Sequence, residues 1–362
     1  FMTVVGVAGC TALLLTGLGL RDSINAIIGK QFGELWNYNT VVVVRHGSDD
    51  QKDFRVRRLL EGKDFERTLA VHMEAGHAAT DRYRSETTLF VPREQERLSD
   101  FITLRERVGH APISFESEEA VVITEKLSDR LGARPGDTIE LEDADGNRAA
   151  VTVTGVTENY VQGYVYMTGK VYQKAFGAAP EYTSVLAVAG AETAEERDAL
   201  ATRLLGVKNI AGVQFTDTVR ESFSDMLKSI NTIVGVIILS AAVLAVVVLY
   251  NLTNINIAER EKELATIKVL GFYRQEVAGY IFRETNLLAL IGTLCGLWLG
   301  IYLHAFVVQT AEVDMVMFGR EISAQIFILS AMLTMLFAFF VNLVMRRPLD
   351  RINMVESLKA PE

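Results

Sequence analysis

Four long apolar blocks restrict the folds open to this chain more than any other feature. They cover residues 1–20, 233–252, 287–308 and 326–344, and none of them contains Asp, Glu, Lys or Arg. Each block has roughly the 20 residues that an α-helix needs to cross the hydrocarbon core of a bilayer. A core helix of a soluble protein rarely stays uncharged over that length, so the blocks predict four transmembrane helices.

The first block has a second interpretation, as a secretory signal peptide. It lacks the basic residues that precede the apolar stretch of such a peptide. The chain also begins at Phe1 rather than at an initiator Met. We therefore interpret residues 1–20 as a membrane helix and expect a further segment before it.

Basic residues beside the blocks predict the orientation, because short loops rich in Lys and Arg stay in the cytoplasm. The loop between the third and fourth blocks contains only Arg320. The loop between the second and third blocks and the stretch after the fourth are more basic, with Arg260, Lys262, Lys268, Arg274, Arg283, Arg346, Arg347 and Arg351. We therefore expect residues 253–276 and the tail in the cytoplasm, and residues 21–228 outside it.

The predicted fold is an α-helical membrane protein with an extracytoplasmic α+β domain inserted on helical stalks. Its predicted parts are transmembrane helices at 1–20, 229–252, 277–308 and 323–345, the outer domain with its stalks at 21–228, a cytoplasmic coupling loop at 253–276, a short outer loop at 309–322 and a cytoplasmic tail at 346–362. The stalks are residues 21–35 and 217–230. Separate surface helices are the alternative, since Gly29 and Gly33 weaken the first stalk.

Strand and helix patterns alternate within the outer domain. The predicted elements are strands at 40–45, 138–142, 148–156, 184–188 and 209–215 and a helix at 193–205. Asp145-Gly146 suits the positive φ angles of a hairpin turn between two of these strands. A further short helix is predicted between Thr124, as its N-cap, and Gly132 at its end.

Composition argues against a nucleic-acid-binding protein and against an outer domain that depends on disulfides. The formal net charge of −9 does not favour a nucleic-acid-binding protein, which needs a basic face. Cys10 and Cys295 lie inside predicted membrane helices, so the outer domain contains no cysteine and cannot depend on an internal disulfide.

No phosphate-binding loop is present in the sequence, so the chain is not predicted to be an ATPase. Such a loop places four residues between a glycine and Gly-Lys-Ser/Thr. The nearest match, from Gly163 to Gly169-Lys170, has five residues between the glycines, and Val171 replaces the hydroxyl residue.

His72, Glu74 and His77 carry atoms that could bind zinc. They lack the helical His-Glu-x-x-His spacing of metallopeptidases. In a strand, His72 and Glu74 would share one face and His77 would point to the other, so we interpret the three residues as a solvated strand edge. No metal, cofactor or catalytic site is predicted in this chain.

Gly292, Gly296 and Gly300 recur every four residues in the third apolar block. This spacing forms a stripe along one face of a helix, where a neighbouring helix backbone can approach closely. The stripe predicts a helix-packing surface, with a lipid-facing position or a flexible hinge as the alternatives.

The predicted cytoplasmic loop, residues 253–276, has helix-forming residues from Ala258 to Gly271. Its apolar residues, Ile257, Leu264, Ile267 and Leu270, follow helical spacing. A helix lying on lipid headgroups is the alternative. The mixed charges of the loop suit an anionic surface poorly, so we interpret the loop as a docking helix for a protein.

Six residues of this loop match the inner loop of FtsX/MacB-like ABC transporter permeases, and the chain resembles that family. The matching residues are Glu259, Arg260, Glu263, Leu264, Lys268 and Gly271. Residues 350–359 resemble the tail of large members that carry two such units, and residues 136–139 and 158–160 resemble their outer domain.

The resemblance implies a permease subunit in the bacterial cell membrane, working with a cytoplasmic ABC ATPase dimer that binds ATP and magnesium. It also implies a second permease unit, either an N-terminal repeat of the same polypeptide or an identical chain.

Within the apolar blocks only His304 can titrate near neutral pH, which argues against an aqueous solute channel. We therefore expect ATP-driven mechanotransmission that exports or extracts an amphiphile, such as a lipid, lipopeptide or antimicrobial peptide, from the membrane lipid. Two alternatives are a regulator of an extracellular partner such as a cell-wall hydrolase, and a receptor without an ATPase.

The charge asymmetry makes the orientation testable with introduced cysteines. Asp145→Cys should react with a membrane-impermeant thiol reagent on intact cells and Lys262→Cys should not, with the unmodified chain as the control for Cys10 and Cys295. Labelling at position 262 but not at position 145 would invert the orientation.

Overall fold

The structure is a computed structural model, and it describes residues 2–45, 54–191, 193–260, 263, 266–267, 270, 273–312 and 316–350. The chain divides into two units. We name the first the membrane unit, which consists of Phe1–Asn25, Leu227–Ala311 and Phe318–Glu362. The second, the outer unit, consists of Ala26–Met226 and Glu312–Met317.

The described residues form eight α-helices. They are α1 (Met2–Lys30), α2 (Phe54–Leu60), α3 (Glu125–Leu131), α4 (Gly169–Phe176), α5 (Ala194–Leu205), α6 (Thr216–Glu259), α7 (Arg274–Ala311) and α8 (Ala324–Asp350). A π-helical turn at Gln31–Leu35 directly follows α1. Of the described helices, α1 with this turn, α6, α7 and α8 are long and apolar enough to cross a membrane. The four predicted membrane helices are thus confirmed.

Helix α1 is the most enclosed of the four membrane helices. About two thirds of its apolar stretch, 67%, is buried, against 22–33% for the others. Small residues allow this close packing: a Cβ atom on Gly6 would lie 2.6 Å from Leu252 of α6, and one on Gly17 would lie 2.9 Å from Ile238. The Thr11 hydroxyl donates a hydrogen bond to Thr334 of α8 over 3.2 Å.

The glycine stripe of α7 packs against α1. A Cβ atom added to Gly296 would lie 2.6 Å from the Ala8 carbonyl oxygen, which is backbone and cannot rotate away. An added Cβ on Gly292 would lie 2.8 Å from Val7, and one on Gly300 would lie 2.7 Å from Leu15. These distances leave no room for a side chain at any of the three positions.

The outer unit is built on one mixed sheet of ten strands. The strands are β1 (Thr40–Val44), β2 (Phe65–Ala79), β3 (Arg84–Pro92), β4 (Val121–Thr124), β5 (Thr138–Glu142), β6 (Arg148–Thr152), β7 (Gly155–Thr157), β8 (Tyr164–Met167), β9 (Ser184–Ala189) and β10 (Ile210–Phe215). Their order is β10-β1-β9-β2-β3-β8-β4-β7, and β5 joins the far end of β2 and carries β6. This confirms an α+β domain inserted between two membrane helices.

Local chemistry explains the β5–β6 hairpin. Gly146 has a φ of 86°, which a side chain would disfavour. The Asp143 carboxylate accepts hydrogen bonds from the backbone N–H groups of Asp145 and Asn147 and so closes the turn. The predicted turn at Asp145-Gly146 is therefore present.

Of two sequence interpretations in the outer unit, one is confirmed and one is wrong. Thr124 is the N-cap residue of α3 and Gly132 its C-cap, as predicted, although the Thr124 side chain makes no capping bond and accepts a hydrogen bond from the Tyr164 N–H instead. Strand β2, with His72 and Glu74, is not a solvated edge, because it lies between β3 and β9. Polar residues alternate along β2, which is typical of a solvated strand, and this pattern gave no sign that β2 lies in the middle of the sheet.

Helices α1 and α6 run without a break through the predicted boundaries at residues 20/21 and 228/229. The predicted stalks are thus continuations of the membrane helices, with a π-helical turn in place of regular helix at Gln31–Leu35. Helix α6 also includes residues 253–259, which the sequence assigned to the coupling loop. No Pro or Gly interrupts that stretch, so the helix continues to Glu259.

Substitution of Gly296 tests the contact between α7 and α1. Gly296→Leu should destabilise the membrane unit by about 1–3 kcal/mol or more, because the new side chain meets backbone atoms in a close-packed region. The measurement is the thermal midpoint and the yield of folded protein in detergent.

Gly235→Leu is the matched control, because a Cβ at that position of α6 meets no atom within 4 Å. Equal stability of the two variants would show that the glycine stripe does not pack against α1.

Candidate functional site

The predicted coupling residues lie at the end of α6 and in the segment that follows it. Glu259 is exposed at the last turn of α6, and Glu263 is helical and exposed. Leu264, Lys268 and Gly271 lie outside the described residues.

Arg260 is held in place by α7 in a way that the sequence did not suggest. Its guanidinium makes a two-bond interaction with the Glu284 carboxylate, with one N–O distance of 2.6 Å. Paired bonds of this kind fix geometry as well as charge. Arg260, which directly follows α6, is therefore tied to the N-terminal part of α7.

Ile267 does not have a free side chain. It is half-buried and packs against a cluster of membrane-unit residues that includes Val7, Leu249 and Ile257. Leu270 and Tyr273, by contrast, are 72% and 78% exposed. The apolar surface available to a partner at the end of this segment therefore includes Leu270 and Tyr273 rather than Ile267.

His304 is buried in the membrane unit, at the outer end of α7. Its Nε2 atom lies 3.4 Å from the Ser23 hydroxyl of α1. A Cβ on Gly19 would lie 2.8 Å from the imidazole ring. The imidazole ring thus occupies the space beside Gly19, which has no side chain. Because its polar contact is also with α1, His304 packs α7 against α1.

A charged cluster joins the end of the first stalk to the body of the outer unit. Arg105 donates hydrogen bonds over 2.6 Å to both Glu34, in the π-helical turn, and Glu158, which precedes Tyr160. The Glu158 side chain is 0% exposed and that of Arg105 is 14% exposed. Burial acts to lower the pKa of Arg105, but its hydrogen bonds to Glu34 and Glu158 outweigh burial and raise it.

Gln31 makes a second, uncharged connection beside this cluster. Its fully buried side chain donates to the Asn159 amide oxygen over 2.9 Å and accepts from the Tyr160 backbone N–H over 2.7 Å. Asn159 in turn donates to the Val161 carbonyl over 2.7 Å. The Glu158-Asn159-Tyr160 segment is therefore bonded to the stalk by both side chains and backbone. We call Gln31, Glu34, Arg105 and residues 158–161 the stalk junction.

The outer loop between α7 and α8 also reaches the stalk junction. Val316 forms a β-bridge with Val161, and the Met317 N–H donates to the Tyr160 carbonyl over 2.9 Å. Lys126 of α3 donates to the Val316 carbonyl over 2.5 Å. The segment 158–161 is thus bonded to the π-helical turn after α1 and to the loop after α7.

The other candidate sites of the sequence have structural roles in the described residues. His72 donates from Nδ1 to the Glu181 carbonyl over 2.7 Å and lies 3.2 Å from Glu74; burial acts to lower its pKa, and these two partners raise it. Within the described ranges, no three His, Cys, Asp or Glu residues are placed to hold a metal ion. Gly163 and Gly169-Lys170 are separated by strand β8 and form no phosphate loop.

Family comparisons cover both units of the chain. Residues 1–204 match the MacB-like periplasmic core domain, and residues 235–348 match the FtsX-like permease C-terminal domain. The chain belongs to the FtsX/MacB-like permease family. It is accordingly an ABC transporter permease and a multi-pass protein of the cell membrane, from a family in which a separate subunit carries the ATPase activity.

Individual relatives of this permease are distant. An uncharacterised ABC transporter permease protein of Mycobacterium tuberculosis is 25% identical over 211 residues, which cover 52% of this chain and 23% of that protein. The chain therefore spans about a quarter of the length of this curated relative.

Two solved structures are similar to the permease. The extracellular domain of the noncanonic ABC-type transporter YknZ from Gram-positive bacteria is 15% identical, with a TM-score of 0.32, over 49% of this chain and 98% of that one. The periplasmic region of MacB from Actinobacillus actinomycetemcomitans is 12% identical, with a TM-score of 0.32, over 54% of this chain and 97% of that one.

Removal of Arg105 tests whether the stalk junction stabilises the permease. Arg105→Met should lower the free energy of unfolding of the outer unit by about 3–5 kcal/mol, because it leaves the buried Glu158 carboxylate unpaired. Thermal unfolding of the purified permease, followed by the circular dichroism of its strands, measures this loss.

Two further variants make the result specific. Adding Glu158→Gln to Arg105→Met should restore part of the lost stability, since the unpaired charge is removed. Arg97→Met, which breaks an exposed pair with Glu94, should change stability by less than about 1 kcal/mol. An equally small change in Arg105→Met would show that the junction does not depend on this charge pair.

Proposed function

We propose that this permease transmits motion from a cytoplasmic ABC ATPase dimer to the outer unit. Helix α6 carries the proposal. It has 44 residues and begins directly after the sheet strand β10 and ends at Glu259, the first residue of the coupling motif. At 1.5 Å per residue it is about 66 Å long, roughly twice the thickness of a bilayer core.

Helix α1 supplies a second route of the same kind. It continues from the enclosed centre of the membrane unit to Lys30, and the π-helical turn after it enters the stalk junction. A displacement of α1 along or about its axis would therefore act on Arg105 and on the Glu158-Asn159-Tyr160 segment. Buried charged and amide contacts are suited to this role because they hold one geometry rather than many.

The proposed docking site for the ATPase is the segment from Glu259 to Gly271. Arg260 anchors its start on Glu284, and Ile267 anchors its middle in the membrane unit. The exposed Leu270, together with Leu264, would then supply the apolar contacts to a groove on the ATPase. A helix in a groove gains its affinity from a few such anchors. ATP and magnesium bind to the ATPase in this proposal.

The proposed substrate is an amphiphile taken from the membrane lipid, such as a lipid, a lipopeptide or an antimicrobial peptide. Ionisable residues line the paths of polar solutes through membrane proteins, and His304, the one such residue in the apolar blocks, is enclosed between helices. Large apolar side chains of α6 point outward, including Ile233, Val236 and Leu239, each more than 60% exposed. We propose that this face meets lipid and a second permease unit, carried on the same polypeptide or on an identical chain.

Charge substitutions in the docking segment test the coupling to an ATPase. Leu264→Glu with Leu270→Glu should weaken ATPase binding at least tenfold, because each lost apolar anchor is worth about 1.5–3 kcal/mol and a carboxylate adds a desolvation cost. Ile267 is left unchanged, since a charge there would disturb the membrane unit itself. The measurement is recovery of the ATPase with tagged permease from solubilised membranes.

Glu261→Ala is the control and should retain most of the binding, because charges near an apolar anchor mainly set orientation. Both variants should reach the membrane in normal amounts. Full ATPase recovery with the double variant would place the docking site elsewhere, whereas failure to recover any ATPase with the unmodified permease would favour a receptor without an ATPase.

A further inference from the structure

Strand β6 is an edge strand, and some of its backbone N–H and C=O groups do not bond to a neighbouring strand in the described part of the chain. In the described part of the chain it pairs with β5 alone, in a regular register from Arg148 opposite Glu142 to Thr152 opposite Thr138. The Asp143 N–H donates to Asn147 and the Val153 N–H to Asp137, on either side of this ladder. Hydrogen-bonded pairs alternate in an antiparallel ladder, so β5 bonds the odd-numbered residues of β6. The N–H and C=O groups of Ala150 and Thr152 therefore point away from β5.

A groove runs beside this free edge. Its opposite wall is α4, and the cavity between them has a volume of about 730 Å³. Val121, Val151, Val171 and Ala175 supply its apolar lining. The outward positions of β6 carry the small residues Ala150 and Thr152, and the strand has neither a proline nor a bulge. Natural edge strands commonly use a proline, a bulge or a charged side chain to block pairing with another strand; the one charged residue of β6, Arg148, is paired with Glu142 of β5.

The walls of the groove are fixed before any ligand binds. The Thr168 hydroxyl caps α4 by accepting a bond from the Val171 N–H, and it donates to the Glu118 carbonyl over 2.6 Å. Just after β6, the Val121 N–H donates to the Thr154 hydroxyl over 2.9 Å, and the Thr154 N–H donates to the Val121 carbonyl over 2.7 Å. A preformed site loses less conformational freedom on binding than one that must first order itself.

Charges on the rim indicate the chemistry of the occupant. Lys170 and Lys174 lie one turn apart on α4 and are 68% and 84% exposed. Their partners, Glu118 and Glu119, are also largely exposed, and such surface pairs contribute little to stability. An incoming carboxylate can therefore replace Glu118 or Glu119 beside the lysines.

We propose that the groove between β6 and α4 binds an extended segment of an extracytoplasmic protein, which adds a strand to β6. The segment is about five residues long, apolar at alternate positions where it faces the groove lining, and acidic where it faces Lys170 and Lys174. Strand addition uses backbone bonds for affinity and side-chain pockets for selectivity. This inference does not rest on the ATPase.

Peptide binding to the full permease in lipid nanodiscs tests the proposal. The probe is a fluorescein-labelled peptide of sequence Thr-Val-Glu-Val-Thr-Val, and fluorescence anisotropy measures its affinity. Binding should slow hydrogen exchange at the Ala150 and Thr152 amides. A peptide of the same sequence with alternate N-methylated amides should bind at least tenfold more weakly, because it cannot complete the ladder.

Two variants of the permease separate backbone pairing from charge. Ala150→Pro removes an outward N–H that β5 does not use, so it should weaken binding at least tenfold while the thermal midpoint stays within a few degrees. A second peptide carries Lys in place of the Glu. The unmodified permease should bind the Glu peptide more tightly, and the Lys174→Glu variant should bind the Lys peptide more tightly. Absence of binding for both of these peptides, or equal binding by Ala150→Pro or by the N-methylated peptide, would overturn the proposal.

Discussion

The close contact between α1 and α7 is the interaction on which the rest of the permease depends. In a bilayer the hydrophobic effect does not drive helices together, so their association relies on shape and on a few polar bonds. Gly292, Gly296 and Gly300 place no side chain at three successive positions along one face of α7, and the backbone of α1 occupies the space at Ala8 and Ala12. This contact encloses α1 among the other helices. Helix α1 continues from there to Lys30 and ends in the π-helical turn at Gln31–Leu35.

The stalk junction turns that helix end into a defined connection. Arg105 and Glu158 are buried together, so separating them costs more than breaking an exposed pair, and they resist sliding against each other. Gln31 adds neutral bonds that depend on the same geometry. The π-helical turn fits this setting, because π-helical insertions are frequent at functional sites. In the proposed mechanism, the junction passes a movement of α1 to the segment at residues 158–161.

Sequence reasoning was most successful where one local pattern decides the structure. Uncharged blocks of roughly 20 residues admit few structures besides membrane helices, and Asp145-Gly146 strongly favours a hairpin turn. The family followed from the loop motif at Glu259-Arg260 together with the tail. The pairs that build the candidate sites are different, because their partners are far apart in sequence. Arg105 lies 71 residues from Glu34 and 53 from Glu158, and each alone reads as an ordinary surface charge.

Ile267 shows a second limit of sequence patterns, which is that they do not distinguish a covered apolar residue from an exposed one. Its helical spacing with Leu264 and Leu270 predicted one apolar stripe for a partner, but periodicity cannot say which apolar residues the chain covers with its own helices. The central position of β2 was missed for a related reason, since strand order is set by long-range pairing and not by the alternation within one strand.

Hydrogen exchange in the assembled complex tests the transmission of motion most directly. The permease and its ATPase, without nucleotide and then locked with a non-hydrolysable ATP analogue, are compared at the Thr103, Tyr160 and Met317 amides, which are bonded within and beside the stalk junction. The account predicts that the analogue changes the exchange rates at these amides as well as in residues 253–276. A change confined to residues 253–276, with exchange in the outer unit unaltered, would contradict it.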